Sequence, residues 1–261
     1  MITNEYGVAE RQRTLLEMMK DFDQFMTEHE LEYSLCGGTL LGAIRHQGFI
    51  PWDDDVDVIM DRENFDKLVA TFERLGNRVE IQRDEKEAPT QYAFKRMLWV
   101  YRFTFPTWDD PESEPPMIDV FTMDASPNSW LVRKAKTVTI KALQGMMRAR
   151  PNLSDYSFFY RICLVVTFIA GKALSDACKF KLYDAVSRIG NGKPNLKITA
   201  YNAIYKFLDL RYDCAILDKL ERRPFEDAML PTMWGYHSYL TTQYGDYMTP
   251  PPVEERVAQH M

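Results

Sequence analysis

The first half of the chain alternates between two hydrophobic periods. From about Ala9 to His29, apolar residues recur every three or four positions, which predicts an amphipathic helix. Residues 31–35 and 55–60 instead alternate apolar and polar side chains, which predicts two strands. Asp61 follows the second strand and is expected to cap the next helix. Further short segments predict strands at 78–83, 91–103 and 117–121.

After Pro127 the apolar residues mostly recur at the spacing of a helix. Residues 128–150 predict a basic helix, and residues 155–189 predict an apolar helical region. We therefore predict an α+β fold, with a mixed sheet flanked by helices and a mainly helical C-terminal half. The predicted division lies between residues 1–127 and 128–261, and we expect the two parts to pack as one unit.

One stretch of the second half is strongly apolar. Ile162–Ala170 reads "ICLVVTFIA" and lies between Arg161 and Lys172. It is too short to span a bilayer, which takes about 20 apolar residues. Two interpretations stay open: a buried helix, or a helix that faces a membrane surface or a partner.

Composition narrows the functional classes. The chain has 261 residues, of which 46% are hydrophobic, so it can bury a full core. Its net charge is −6 and it has no dense basic stripe, so no nucleic-acid partner is expected. The four cysteines form no CxxC pair, and the N-terminus has no apolar signal segment. We therefore predict a cytoplasmic protein with reduced thiols.

A glycine pair and an acidic run stand close together in the sequence "GGTLLGAIRHQGFIPWDDDVDV". Four aspartates fall within five residues, and two unit charges about 4 Å apart repel by about 4 kcal/mol at an effective dielectric of about 20. Such a run either stays solvated, as in a surface turn or calcium loop, or binds a cation. The four are Asp53, Asp54, Asp55 and Asp57.

Strand geometry favours the cation. Residues i and i+2 share one face of a strand, so Asp55 and Asp57 are expected to project side by side, with Asp54 pointing away. Asp119 interrupts the apolar strand "MIDVF" and is the candidate third carboxylate. Carboxylates together with phosphate oxygens are the ligands that Mg²⁺ prefers. The pattern therefore predicts a Mg²⁺ or Mn²⁺ site.

The two glycines indicate a phosphate-binding site. Gly37 and Gly38 end a strand and precede a helix, a geometry in which backbone N–H groups can approach a phosphate closely. Lys95 is either a charge-balancing lysine of the site or an ordinary edge-strand lysine. The order of strand, glycines, helix, DxD strand and further aspartate predicts phosphoryl or nucleotidyl transfer. Other candidate phosphate contacts are Thr39, Arg45 and His46, the last equally well interpreted as a surface histidine.

These residues resemble a known family. The segment "SLCGGTLLGAIRHQGFIPWDDDVDV" closely resembles the signature of the LicD/fukutin phosphotransferases, and "FKRM", "MIDVF", "YGDYMTPPP" and "RVAQH" resemble its downstream blocks. The resemblance covers most of the chain, although the helical middle is not distinctive. One departure is "FTMDA", where many members have a proline after the phenylalanine; it affects only loop geometry.

The resemblance implies a nucleotidyltransferase-like fold and roles for individual residues. Gly37 and Gly38 would bind phosphate, and Asp55 and Asp57 would bind a divalent metal. Asp119 would be a metal ligand or the base for an acceptor hydroxyl. Asp53 belongs to the same acidic signature and is a further candidate ligand.

The implied activity is transfer of a phosphorylated alcohol. A phosphocholine group would pass from CDP-choline, or from another CDP-alcohol, to a sugar hydroxyl of a lipopolysaccharide or teichoic acid, releasing CMP. Residues 1–127 would carry catalysis and 128–261 the acceptor side. Two alternatives stay open: a nucleotidyltransferase that moves a nucleoside monophosphate, and a non-catalytic binding protein of the same fold. A DxD glycosyltransferase is a more distant rival.

Two further expectations concern ligands. A lipid-linked glycan acceptor would bring the protein into peripheral contact with the inner membrane face, through residues 128–150 and Ile162–Ala170. A quaternary ammonium is usually held over aromatic faces. The aromatic candidates for such an alcohol pocket are Trp99, Tyr101, Trp108, Trp234 and Tyr236.

Overall fold

The structure is a computed structural model. It describes residues 2, 4–82, 88–107, 114–148, 158–194 and 196–258, and for residues 158–160 only the backbone. Trp108, which was named from the sequence, lies outside the described residues, as do parts of the predicted segments 78–83, 128–150 and 155–189.

The helices of the described residues agree well with the sequence pattern in the first half. The helix predicted from about Ala9 to His29 is confirmed, and Asp61 caps the third helix by accepting a hydrogen bond from Asn64 N at 2.7 Å. The helices are α1 (Ala9–Glu28), α2 (Gly37–His46), α3 (Arg62–Arg74), α4 (Trp130–Met147), α5 (Phe158–Gly171), α6 (Asp176–Ser187) and α7 (Tyr236–Tyr244).

The strands of the described residues form one mixed sheet, which confirms the α+β class. The central path is β3-β4-β5-β6-β2-β1-β10-β9; β7 pairs with β6 and β8. The strands are β1 (Ser34–Leu35), β2 (Val56–Asp61), β3 (Arg78–Ile81), β4 (Thr90–Met97), β5 (Val100–Thr104), β6 (Met117–Ala125), β7 (Lys197–Ala200), β8 (Tyr212–Asp213), β9 (Leu220–Phe225) and β10 (Ala228–Met233).

The chain forms two compact units. The first contains Met1–Lys95, Tyr101–Thr122 and Ala215–Met261, and the second contains Arg96–Val100 and Met123–Cys214. The last part of the sequence thus belongs to the same unit as the glycine pair and the aspartates. The division between residues 1–127 and 128–261 stays a prediction.

The second half departs from the sequence pattern in detail. The apolar region predicted as helical over 155–189 is divided by a turn at residues 172–175, so that α5 and α6 are separate helices. Beyond residue 190 the chain adds four short strands, β7 to β10, which the pattern did not predict. Of the helices that the structure describes, none combines the length and the hydropathy needed to cross a bilayer.

Each unit has its own packing. In the first unit, α1 buries Phe22 and Phe25, and aromatic rings continue from Phe72 to Phe94 and Phe103. In the second unit, α4 and α6 pack around a cluster of buried residues: Trp99, Ile140, Leu143, Met147, Tyr183, Tyr201 and Leu208.

Candidate active site

The start of α2 lies directly beside the DxD strand. β1 and β2 pair in antiparallel fashion, with Leu35 opposite Val58, and the next residue, Cys36, donates its N–H to the Asp57 carbonyl at 3.1 Å. Gly37 then turns the chain into the helix with φ +55°, a left-handed conformation that favours glycine. The pairing therefore fixes the helix N-terminus next to Asp57.

Carboxylate oxygens approach the backbone closely at the glycine pair. A Cβ on Gly37 would lie 2.8 Å from Asp57 Oδ2, and a Cβ on Gly38 would lie 2.9 Å from Asp53 Oδ2. Both distances are shorter than real Cβ contacts. The positive end of the helix dipole thus faces two negative side chains, which stabilises their charge. Gly37 also donates its N–H to the Tyr239 hydroxyl at 3.4 Å.

Thr39 has a role in positioning the DxD strand. Its Oγ1 accepts a hydrogen bond from the Asp57 N–H at 2.9 Å, and the residue is 2% exposed. This contact joins the first turn of α2 to the backbone of the aspartate. The predicted phosphate contact of Thr39 stays a prediction.

Four aspartates form the carboxylate cluster: Asp53, Asp55, Asp57 and Asp119. Desolvation raises the pKa of Asp57 well above its usual value, and the negative charges of Asp55, Asp119 and Asp53 raise it further. The charges of three carboxylates thus disfavour ionisation of the fourth, Asp57. Asp54, which the sequence placed outside the site, is buried.

Arg102 is the cation that the sequence analysis missed. It lies opposite Asp119 in the β5–β6 pairing, and its Nε donates to Asp119 Oδ1 at 2.7 Å while Nη2 donates to Oδ2 at 3.3 Å. The guanidinium therefore binds both carboxylate oxygens of Asp119. Its charge also lowers the pKa of Asp57, although less than the surrounding carboxylates raise it.

A divalent cation fits the charge of the carboxylate cluster. Burial and then the three neighbouring carboxylates raise the pKa of Asp57 by more than Arg102 lowers it, and a bound cation would offset this cost. In the described part of the chain, however, no three Asp, Glu, His or Cys side chains are arranged to ligate one ion. Asp119 is held by Arg102. The metal set of Asp53, Asp55, Asp57 and Asp119 therefore stays a prediction.

Two tyrosines of helix α7 complete the surroundings of the cluster. Tyr239 is hydrogen bonded to the Cys36 thiol and accepts from Gly37 N. Although Tyr244 keeps 41% of its surface exposed, desolvation of its hydroxyl and then the charges of Asp57 and Asp53 raise its pKa. These tyrosines stand about 200 residues after the glycines, and no periodic pattern in the sequence marks them.

Arg45 lies within electrostatic reach of both Tyr244 and a second arginine, Arg256. Burial and then the positive charge of Arg256 lower the pKa of Arg45, whereas the Tyr244 hydroxyl acts in the opposite direction. Arg45 donates through Nη1 to the Tyr247 carbonyl at 2.9 Å, while its buried Nε has no hydrogen-bond partner among the described residues. Tyr244 thus lies within electrostatic reach of both Arg45 and the carboxylates. Arg256, which its position near the C-terminus gave no reason to select, joins Arg45 here.

The remaining phosphate candidates differ. Burial and the charge of Arg45 lower the pKa of His46, so the neutral imidazole is favoured; its buried Nδ1 has no hydrogen-bond partner in the described residues. Lys95 is exposed on β4 and donates to the Pro106 carbonyl at 3.0 Å. This hydrogen bond connects Lys95 to the loop that follows β5. The role of Lys95 in phosphate binding stays a prediction.

The aromatic candidates have partners of their own. Trp99 is buried in the core of the second unit, and Tyr101 packs against Phe65 and Phe94. Trp234 lies under the Lys219 ammonium, 4.3 Å from the ring centroid, and Tyr236 lies under Arg223 at 4.8 Å. Trp108 lies outside the described residues. An alcohol pocket among these residues stays a prediction.

Comparison with known proteins gives one match over nearly the whole chain and two matches over about a quarter of it. The chain is 27% identical to the lipopolysaccharide cholinephosphotransferase LicD of Haemophilus influenzae, over 97% of this chain and 96% of that protein. It is 41% identical to an uncharacterized protein of Rickettsia typhi, over 28% of this chain and 25% of that protein. It is 42% identical to an uncharacterized protein of Rickettsia prowazekii, over 27% of each chain.

The family match covers the carboxylate cluster. Residues 30–147 match the LicD/FKTN/FKRP nucleotidyltransferase domain, and this range contains the glycine pair, the DxD strand and Asp119. The family likeness therefore falls on the residues that the structure gathers around Asp57. Together with the full-length likeness to the Haemophilus protein, it makes the chain similar to the LicD family over its glycine pair and its aspartates.

Proposed function

We propose that this protein is a phosphotransferase that moves phosphocholine from CDP-choline to a sugar hydroxyl of a lipopolysaccharide, releasing CMP. The observation that carries the proposal is the likeness to the Haemophilus lipopolysaccharide cholinephosphotransferase, which extends over 97% of this chain. The carboxylate cluster beside a glycine-started helix supports it, because phosphoryl transfer depends on positioning and on electrostatic stabilisation of phosphate.

The residues divide into two charged groups. Asp55 and Asp57, with Asp53, would hold Mg²⁺ or Mn²⁺, and the ion would neutralise the diphosphate of the donor. Arg45 and its neighbour Arg256 are the cations suited to the remaining phosphate charge. Arg102 keeps Asp119 in one orientation.

The reaction is a single displacement at phosphorus. The oxygen of the acceptor hydroxyl forms a bond to the phosphorus next to choline, and the bond from that phosphorus to the bridging oxygen breaks. CMP leaves with the bridging oxygen. The hydroxyl proton passes to a carboxylate of the cluster, for which Asp119 and Asp57 are the candidates, and from there to water.

Product analysis tests the proposal. The protein is incubated with Mg²⁺, a lipopolysaccharide acceptor and CDP-choline, CDP-glycerol or CDP-ribitol, and CMP is measured. Acceptor-dependent release of CMP, greatest with CDP-choline and lost in Asp57→Asn, is the expected result. Pyrophosphate formation from a nucleoside triphosphate would instead identify a nucleotidyltransferase, and the absence of both products would indicate a binding protein.

A membrane-facing role for α5 is the second part of the proposal. Ile162, Val166 and Ile169 stand one above another at positions i, i+4 and i+7 and are 47%, 59% and 60% exposed. Leu164, on the opposite side, is buried. The apolar stretch is thus not plain core, and an exposed apolar row supports shallow insertion at a lipid surface.

The basic residues of α4 contribute less to this surface than the sequence suggested. Lys136 is 2% exposed and donates to the carbonyls of Ala125 and Ile189 at 2.7 and 3.0 Å. Lys141 is paired with Asp209 at 2.6 Å. We therefore assign the proposed membrane contact mainly to the apolar row of α5, with Arg161 and Lys172 at its two ends.

A further inference from the structure

The second unit contains a cavity of about 240 Å³ that no part of the proposed function uses. Its walls come from the residues after β6, from the first turns of α4 and from the chain that follows β7. Water takes about 30 Å³ per molecule in the liquid, so the space admits a ligand of several heavy atoms. The side chains that matter for its chemistry are Ser126, Arg133, Thr137, Tyr201, Leu208 and Arg211.

Two arginines share this cavity. Burial and then the positive charge of Arg133 lower the pKa of Arg211, which places the two guanidinium groups within repulsive reach of each other. Among the described residues neither has a carboxylate partner. The one carboxylate in the wall, Asp209, is instead paired with Lys134 at 3.6 Å and Lys141 at 2.6 Å. The repulsion between the arginines is therefore left uncompensated.

Each guanidinium is held in place without losing its charge. Arg133 Nη1 donates to the carbonyls of Pro127 and Asn128 at 3.0 and 3.2 Å. Arg211 Nε donates to Ser126 Oγ at 3.0 Å. A guanidinium has five N–H donors, so each side chain keeps several for a ligand. Two fixed, neighbouring guanidiniums with donors to spare are the arrangement that binds phosphate oxygens in bidentate fashion.

The base of the cavity adds hydroxyl groups and a further positive charge. The Tyr201 hydroxyl is hydrogen bonded with Ser126, Thr137 and Thr199, and these residues are buried. On the face of the Tyr201 ring lies the buried ammonium of Lys136, 3.8 Å from the ring centroid. The positive potential of the arginines is thus reinforced from below.

We propose that this cavity, the arginine pocket, binds the phosphate group of a phosphorylated sugar. The arginines would take the phosphate, and the remaining space beside Asp209 in the cavity wall would hold the sugar. The space beyond a single phosphate favours an ester over the free ion. The proposal does not depend on the proposed function, because the residues concerned belong to the second unit and none is part of the carboxylate cluster.

Calorimetric titration of the full chain tests the arginine pocket. Glucose 6-phosphate, inorganic phosphate and glucose are titrated in EDTA, which keeps divalent ions from carrying phosphate to the carboxylate cluster. We expect glucose 6-phosphate to bind more tightly than inorganic phosphate and glucose not to bind. Arg133→Met and Arg211→Met should each weaken binding of the ester by about tenfold or more, since each removes a charge-assisted contact.

The control is Lys181→Met, which removes an exposed charge from α6 of the same unit and should leave binding unchanged. Circular dichroism checks the fold of each variant. If an Arg→Met variant does not fold, Arg211→Lys keeps the charge without the planar fork and should still weaken binding several-fold. Absence of binding to wild-type protein at about 10 mM ester, or equal binding by wild-type and both arginine variants, would overturn the proposal.

Discussion

Arg102 and Asp119 face each other across β5 and β6, and the guanidinium binds both oxygens of the carboxylate, with Nε 2.7 Å from Oδ1. Both side chains are only about one-fifth exposed. Arg102 thus offsets part of the negative charge around Asp57. It also determines whether Asp119 is available to a metal ion.

Replacing Arg102 by methionine should therefore lower the stability of the metal-free protein and raise its affinity for Mg²⁺. Asp119 is left without its partner, so the free energy of unfolding in EDTA should fall by about 1–3 kcal/mol. Because the cluster becomes more negative and Asp119 can turn towards a metal, Mg²⁺ should bind more tightly by about tenfold. Denaturant unfolding and calorimetry measure the two effects.

Arg102→Lys is the matched control, because it keeps the charge and loses the bidentate geometry. It should retain the Mg²⁺ affinity of the wild type. If Arg102→Met left Mg²⁺ binding unchanged, the electrostatic coupling between Asp119 and the other carboxylates would have been overestimated.

Asp57 gives a prediction about pH. Its pKa is raised in the folded protein, so the folded state binds the proton more tightly than the unfolded state does. Ionisation of Asp57 therefore costs stability, a cost that grows as the pH rises from the unfolded pKa towards the folded one. In EDTA at pH 7 to 8, Asp57→Asn should raise Tm, by about 2–4 °C for each kcal/mol relieved.

Near pH 4 the difference in Tm should shrink, because the wild-type carboxyl becomes protonated. Added Mg²⁺ should raise Tm of the wild type more than that of Asp57→Asn, since binding to the native state stabilises it. Thermal unfolding followed by circular dichroism measures both. If Asp57→Asn had a lower Tm than the wild type at pH 8 in EDTA, ionised Asp57 would not be destabilising, and the prediction would be wrong.

Thr39 tests the link between α2 and the DxD strand. Thr39→Val keeps the shape but removes the Oγ1 that accepts from Asp57 N, leaving that N–H without this acceptor. The free energy of unfolding should fall by about 1–3 kcal/mol. CMP release should fall as well, because Asp57 loses a positioning contact. Thr39→Ser retains the hydroxyl and should lose less than half as much; equal losses in both variants would argue against the hydrogen bond.

The first half of the fold was predictable because its signals are local. Alternation in β2, the glycines that start α2 and the Asp61 cap all lie within a few residues of the structure that they determine. Asp57 and Asp55 were identified on the same grounds. The strands β7 to β10 were missed because they are short; β9, for example, reads "LERRPF", with charges and a proline in place of an alternating pattern.

The partners of the carboxylate cluster could not be found in this way. Arg102 meets Asp119 through strand register, which depends on how β5 and β6 pair. Tyr244 and Arg256 reach the site only because the C-terminal segment folds back onto the first unit. The basic pattern of α4 predicted a charged surface, yet Lys136 is buried, and the carbonyls that compensate it come from other parts of the chain.

The apolar row of α5 gives a prediction about lipid. Protein with Ser at positions 162, 166 and 169 should float with anionic liposomes less than wild type by about tenfold, because three exposed apolar contacts are removed. Leu182→Ser, which changes an apolar residue on α6 that is 45% exposed, is the control and should behave as wild type. Flotation at low and high salt separates apolar insertion from charge. Failure of wild type to float with any liposome would end the proposal of membrane contact.

The parallel pairing of Leu35 in β1 with Thr232 in β10 has a consequence for how the protein is made. About 200 residues separate the two strands, and at about 5–20 residues per second their synthesis takes roughly 10–40 s. During that time β1 lacks one of its two neighbouring strands. The aspartates of the cluster likewise lack Tyr239 and Tyr244, which have not yet been synthesised. The nascent chain thus carries an open sheet edge and no completed site, so activity should appear only with the last stretch of translation.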